Sequence, residues 1–184
     1  MGRIVVTENI TLDGVVEATD GWFAPAGRAD VDESDQLEAV QEQMTASAGF
    51  LAGRLTFEAF RSFWPEQTDD TSGVSAHLDQ VRKYVVSTTM TDPQWGNSTV
   101  LRGPEEVRAM REQAGGDVVT TGSITLVHEL VRLGLVDEYR LFVFPTVLGR
   151  GRRLFPEGGA VPALRLLESR AFRSGVLLLR YAPG

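Results

Sequence analysis

Short β-branched runs alternate along this chain with stretches of helical periodicity, and that alternation limits the folds open to it. Arg3–Asn9 reads as a first strand through Ile4, Val5 and Val6, and Gly49–Gly53 as a short buried one. Lys83–Thr88 (KYVVST), Asn97–Leu101, Asp117–Thr121 (DVVTT) and Tyr139–Phe144 (YRLFVF) continue the series. Between them, Leu37, Val40 and Met44 recur at helical spacing behind Asp35-x-x-Glu38, which reads as a capping box. Thr56 reads as the cap of a helix carrying Phe57, Phe60 and Phe63 and ending before Pro65. Pro104 and two acids open another helix, which Gly115 and Gly116 stop. Gly122 and Ser123 start a last one through Leu126, Val127, Leu130 and Leu133, with Gly134 as its terminator. The tail, Ala163–Glu168 and Ala171–Tyr181 with a turn signal at Ser174 and Gly175, reads as strands. The expected fold is α/β: a mostly parallel sheet with helices on both faces and an antiparallel C-terminal edge.

The 184 residues fit one domain, taken here as 1–184, with no internal repeat or linker. Cysteine is absent, which excludes thiolate zinc sites, iron–sulfur clusters, thiol nucleophiles and disulfides. With only His77 and His128 as imidazoles, no metal site is expected. No run of about 18 apolar residues occurs, and the N-terminus has no signal-peptide pattern, so the expectation is a cytoplasmic protein without membrane partners. A net charge of −7 argues against nucleic acid as a partner. The charge is uneven: residues 139–184 hold 8 Arg and 2 Glu, and Arg150, Arg152 and Arg153 cluster in a loop that reads as solvated or as a dimer contact. An anionic ligand must therefore be held by helix N-termini, backbone N–H groups and a few placed arginines.

Three strand ends offer such devices. Gly53 permits close approach, Arg54 supplies a guanidinium fork and Thr56 a hydroxyl; the junction reads either as a phosphate site or as an ordinary strand–helix turn. Ser87 and Thr88 place hydroxyls directly after a strand, where they suit a phosphate or a ribose. Thr121–Thr125 (TGSIT) joins a strand, a glycine turn and a helix start, so N–H groups there can cradle a pyrophosphate. Neither GxGxxG nor GxxxxGK[ST] is present. The connection over residues 10–34 is long, and loops beyond about 12–15 residues are usually functional or disordered. In it, Asp13 beside Gly14 is the candidate catalytic carboxylate, or else a turn-forming residue. Trp22 and Phe23 either close over a flat ligand or pin the loop to the core. His77 and His128 read as partly buried or surface residues, and no Ser-His-Asp set or GxSxG occurs.

The stretch from Gly122 through LGLVDE (residues 133–138) to Pro145 and the LGRGRRLF of residues 148–155 resembles one family. It is the C-terminal reductase domain of the bifunctional riboflavin-biosynthesis deaminase/reductase, within the dihydrofolate-reductase-like superfamily. Thr11–Gly14 (TLDG) and Gly53–Glu58 (GRLTFE) match the same superfamily, so the resemblance covers essentially the whole chain. It implies a three-layer α/β/α fold with NADPH bound across strand ends. Arg54 and Thr56 would hold cofactor phosphates beside Gly53, Ser87 and Thr88 would lie near the adenosine 2′-phosphate, and Gly122, Ser123, Ile124 and Thr125 would cradle the pyrophosphate. The loop from Asp13 to Phe23, with Gly14 and Trp22, would cover nicotinamide and substrate. The deaminase half is absent and its zinc ligands would need cysteine, so a stand-alone reductase is expected, as a homodimer. Its substrate is expected to be a small heterocycle, such as the pyrimidine of riboflavin biosynthesis. The alternatives are a pterin, read by an acid among Asp30, Asp32, Glu33 and Asp35, or a non-catalytic nucleotide-binding module.

Overall fold

The computed structural model describes residues 1–19, 21–23, 31–155 and 163–184. Its elements run β1 (Arg3–Thr11), α1 (Ser34–Thr45), β2 (Ser47–Gly53), α2 (Arg54–Phe63), a 3-10 turn (Trp64–Glu66) and α3 (Val74–Gln80). They continue with β3 (Lys83–Val86), β4 (Ser98–Leu101), α4 (Pro104–Gln113), β5 (Asp117–Thr120), α5 (Ile124–Arg132), β6 (Glu138–Phe144), β7 (Leu164–Ala171) and β8 (Leu177–Pro183). Among the described residues the strands form one 8-stranded sheet in the order β4-β3-β2-β5-β1-β6-β8-β7. Every pairing from β4 to β6 is parallel, while β8 runs antiparallel to both β6 and β7. This is the mostly parallel α/β sheet with an antiparallel edge.

Side-chain alternation sends successive residues of each strand to opposite faces. On β2, Phe50 and Ala52 join Phe57 of α2 and Leu78 of α3 on one face. Leu51 joins Val107 and Met110 of α4 and Leu126, Val127 and Leu130 of α5 on the other. Ala39 of α1 packs over Phe142 and Phe144 of β6 together with Phe172 and Leu178 from the C-terminal hairpin. Three apolar clusters thus glue helices to both faces of the sheet, and burial of these side chains is the main favourable term for folding.

At the amino ends of the strands the sheet carries an ionic ladder. Arg3 reaches Asp117 (2.8 Å) and Glu138 (3.1 Å), and Arg140 reaches Asp117 and Glu138, both at 2.7 Å. Arg180 extends it from Glu138 (2.7 Å) to Glu168 (2.8 Å). Three arginines balance three carboxylates, and the pairing holds Asp117 and Glu138 below the usual carboxylate range despite desolvation, the largest single influence on each.

Several boundaries differ from the sequence reading. α1 begins at Ser34 with Glu33 as N-cap, so Asp35 lies inside the first turn and no capping box forms. α2 begins at Arg54, directly after Gly53, which puts Thr56 in the first turn and not at the cap. In the tail, Phe172–Val176 is the turn itself, closed by Phe172 N to Val176 O and Gly175 N to Phe172 O, and β8 starts only at Leu177.

Candidate functional site

Because β4, β3, β2, β5, β1 and β6 share one direction, their carboxyl ends meet along one edge of the sheet. All three sequence-marked junctions lie on that edge. Two of them touch: a Cβ built on Gly53 falls 2.2 Å from Ser123 Oγ, and one on Gly122 falls 3.3 Å from Thr56 Oγ1. Gly122 has φ +112, a conformation that favours glycine, and the Gly122–Ser123 peptide bond is cis. Helices α2 and α5 therefore begin side by side, with Gly53 and Ser123 as N-caps. Neither N-cap makes a side-chain capping hydrogen bond, so the leading N–H groups of both helices are not satisfied by side chains. Ile124 and Thr125 form the first turn of α5, and Thr125 is exposed. Two uncapped helix starts held in contact can offer their leading N–H groups to one anionic group such as a pyrophosphate.

Arg54 is half-exposed and turns back along α2 to Glu58, with guanidinium–carboxylate distances of 3.2 and 2.9 Å. At the end of β3, Ser87 is committed to its own turn: its Oγ accepts from Thr89 N (3.2 Å) and Met90 N (3.0 Å), while Thr88 is exposed. Arg102 donates to the carbonyls of Ser87 (3.0 Å) and Met90 (2.7 Å), so a second guanidinium stands at this junction. The sequence reading passed over Arg102, although an arginine directly after a strand end is the same signal as Arg54 after Gly53.

Beside the cradle the sheet opens. The β1–β5 ladder ends at Val6 opposite Thr120 and the β2–β5 ladder at Phe50 opposite Val119, whereas β1 continues to Thr11 paired only with β6. A cavity of about 300 Å³ occupies this opening under α1, α2 and α3. Phe50, Phe60, Trp64, Phe142, Met44 and Val40 give it an apolar, ring-rich wall, with Thr7, Asn9, Gln43, Ser47, His77 and Thr121 as polar points. His77 Nε2 lies 3.2 Å from Ser47 Oγ, and burial pushes its imidazole below the ordinary value, so it is neutral at pH 7. Glu8 is the one charged residue type in the lining among the described residues. It is buried without a hydrogen-bond partner among them, and desolvation pushes its carboxyl up to about 8. Of the sequence-marked junctions, only Thr121 reaches this cavity. Its walls come from β1, β2, β5, β6 and three helices, a set that no local motif announces.

The first loop is tied to the segment after β6. Asp13 accepts from Thr11 Oγ1 (2.6 Å), Gly149 N (2.8 Å) and Leu148 N (3.3 Å), which hold its carboxyl down to about 2. A carboxylate so engaged positions two loops and makes a poor proton donor, which favours the structural reading of Asp13. Beside it, Gly14 has φ +85 and its carbonyl accepts from Leu154 N, while Arg152 pairs with Glu17 at 2.8 Å. Trp22 stands edge-on to both Phe23 and Phe144, with its indole N–H on Glu17 O. Both rings pin the loop to the core. Near α1, Asp32 and Asp35 pair with Arg173, neither they nor Glu33 line the cavity, and Asp30 lies outside the described residues. His128 meets Arg153 O at 2.9 Å. No helix among the described residues is long and apolar enough to cross a membrane, and none of their His, Asp and Glu side chains form a group able to hold a metal.

This strand order, with paired helix starts at the carboxyl edge and a ring-lined opening beside β1, defines a domain of the dihydrofolate-reductase-like α/β class. Residues 3–178 match the family model of the RibD C-terminal domain, and the chain belongs to that family. Among its relatives are two uncharacterized Bacillus subtilis proteins. YyaP is 29% identical, with 97% of this chain and 94% of the relative covered, and YwjB is 26% identical, with 92% and 91% covered. Similar solved structures include a Shewanella sp. PV-4 protein provisionally named for riboflavin biosynthesis, with TM-score 0.72, 19% identity and 99% of both chains covered. A pyrimidine reductase-like protein of Corynebacterium diphtheriae gives TM-score 0.64 at 14% identity, covering all of this chain and 92% of the other. RibD of Acinetobacter baumannii gives 0.67 at 14% identity, and this chain spans 58% of its length.

Proposed function

We propose that the protein is an NADPH-dependent oxidoreductase that reduces a small, uncharged heterocycle held in the ring-lined cavity. The observation that carries this reading is the contact between Gly53 and Ser123, which sets two uncapped helix starts side by side at the carboxyl edge of the sheet. Gly122, Ser123, Ile124 and Thr125 would hold the pyrophosphate through N–H groups, Thr56 its flank, and Arg54 with Thr88 the adenosine phosphate. When bound, the reduced nicotinamide supplies the hydride, and the protein contributes orientation and exclusion of water. Family membership supports the reductase-like role.

The cavity narrows the substrate. Stacking surfaces from Phe50, Phe60, Trp64 and Phe142 suit a flat ring, and Thr7, Asn9, Gln43 and neutral His77 offer hydrogen bonds without charge. No arginine or lysine among the described residues lines it, so a phosphoribosyl group would find no cationic partner there. A free heterocycle therefore fits better than a phosphoribosylated pyrimidine. A pterin would lack the carboxylate expected near α1. The test is a fluorescence titration with NADPH, followed by a screen of its oxidation against neutral ring carbonyls and imines. Saturable binding and turnover are expected. Absence of binding at millimolar NADPH would overturn the reading, and binding without any turnover would assign a nucleotide-binding module.

A further inference from the structure

Glu8 has no role in the site as described, yet its position is unusual. On β1 it lies two residues beyond Val6, whose partner on β5 is Thr120, and so stands level with Gly122 where the two strands have separated. Alternation along β1 places its side chain with those of Val6 and Ile10, beside Leu141, on the face covered by Leu126 and Val127 of α5. It lies at the junction of the cradle and the cavity it helps to line. The residue is buried, its carboxyl oxygens remain accessible from the cavity, and they have no partner among the described residues.

Among the described residues, no side chain nearby supplies the missing charge. Arg140 and Glu138 bond to each other and to Arg180, Arg3 and Asp117 on the opposite face. Asp13 is held by Thr11 and Gly149, Glu17 by Arg152, and on α5 Glu129 pairs with Arg132 while His128 turns to Arg153 O. Desolvation alone shifts Glu8, which is the mark of a carboxyl that no cation among the described residues answers. The partner is therefore to be sought in the ligand.

We propose that Glu8 is the counter-group of the dinucleotide's nicotinamide ring, protonated beside the uncharged reduced ring and ionised beside the positively charged oxidised one. The inference rests on the reading of the cradle as a nicotinamide dinucleotide site. It keeps the site's net charge constant in turnover. The substrate gains one hydride from the reduced ring and one proton, the proton lost by Glu8 matches the latter, and Glu8 takes up a solvent proton when the oxidised dinucleotide is exchanged for the reduced form.

Calorimetric titration of the whole chain with NADP⁺ and with NADPH, each at pH 7 in phosphate and in Tris, counts the protons exchanged on binding. Release of about one proton per NADP⁺ and about none per NADPH is expected. The Glu8→Gln variant keeps the shape of the side chain; it should abolish the release, weaken NADP⁺ about tenfold or more and leave NADPH within about threefold. Binding of both forms without proton release by the wild type, or equal release by Glu8→Gln, overturns the role of Glu8 while leaving the dinucleotide site intact. Failure of both forms to bind overturns the site itself. The wild-type measurement decides the matter even where the variant is unstable.

Discussion

Gly53 and Ser123 lie so close that a methyl group on the glycine would stand 2.2 Å from the serine hydroxyl oxygen and 3.2 Å from its Cβ. The two residues belong to different strand ends, and their contact fixes the distance between the starts of α2 and α5. Gly53→Ala should push the α5 start outward. Overpacking of this kind costs roughly 1–3 kcal/mol. The expected result is a modest fall in melting temperature with NADPH affinity reduced more than tenfold, measured by fluorescence titration. Unchanged affinity would separate the Gly53–Ser123 contact from the binding site.

Arg54 is engaged by Glu58 in the free protein, so a phosphate must compete for its guanidinium. Arg54→Ala should weaken NADPH far more than NADH, since a charge-assisted phosphate bond is worth roughly 1.5–3 kcal/mol. Glu58→Gln, by contrast, should tighten NADPH and leave NADH alone. Equal effects on both cofactors would remove Arg54 from the 2′-phosphate.

Asp13 separates positioning from acid catalysis in a simple way. Its carboxyl is held down to about 2 by Thr11, Gly149 and Leu148, so its loop contacts should persist throughout neutral and mildly acidic solution. Asp13→Asn loses one anionic acceptor and should speed hydrogen exchange at the Gly149 and Leu148 amides. The pH profile of turnover should keep its shape. A profile that loses its acidic limb in the variant would restore Asp13 as a proton donor.

The ionic ladder predicts acid lability. Asp117 and Glu138 have carboxyls depressed in the folded state, so their contribution to stability is complete above the ordinary carboxylate range and is lost as pH falls through their folded values. Melting temperature should be flat near neutrality and drop below about pH 4. Arg140→Met would leave Asp117 and Glu138, both nearly inaccessible, short of a cation. Breaking a buried pair in this way costs about 3–5 kcal/mol, and the neutral-pH melting temperature should fall accordingly.

The elements that were legible in advance are those with strong local signals. β1, β3, β5 and β6 announce themselves by apolar runs, and the strand–glycine–helix passages at Gly53 and Gly122 mark the edge of the proposed anion site. Helix starts were harder, because Asp35 and Thr56 carry capping side chains that the chain does not use as caps. Tertiary contacts claim Asp35 for Arg173 instead. The cavity was invisible because its polar points, such as Gln43, Ser47 and His77, are single residues on separate elements brought together only by sheet order. Glu8 escaped for a related reason: in an alternating strand a lone acid reads as solvent-facing, and only the coverage by α5 makes it buried.

One strand, β1, forms the partition between the two halves of the site. Under the proposed assignment its odd positions, Thr7 and Asn9, belong to the substrate's compartment, and Glu8 between them stands where that compartment meets the cofactor's. Alternation along three consecutive residues thus separates two selective pressures. Exchanges at Thr7 or Asn9 can change which compound is reduced while the redox partner stays the same, and exchanges at Glu8 act on the redox partner. A family built on such a partition can diversify its chemistry one face at a time, without rebuilding the sheet that carries both.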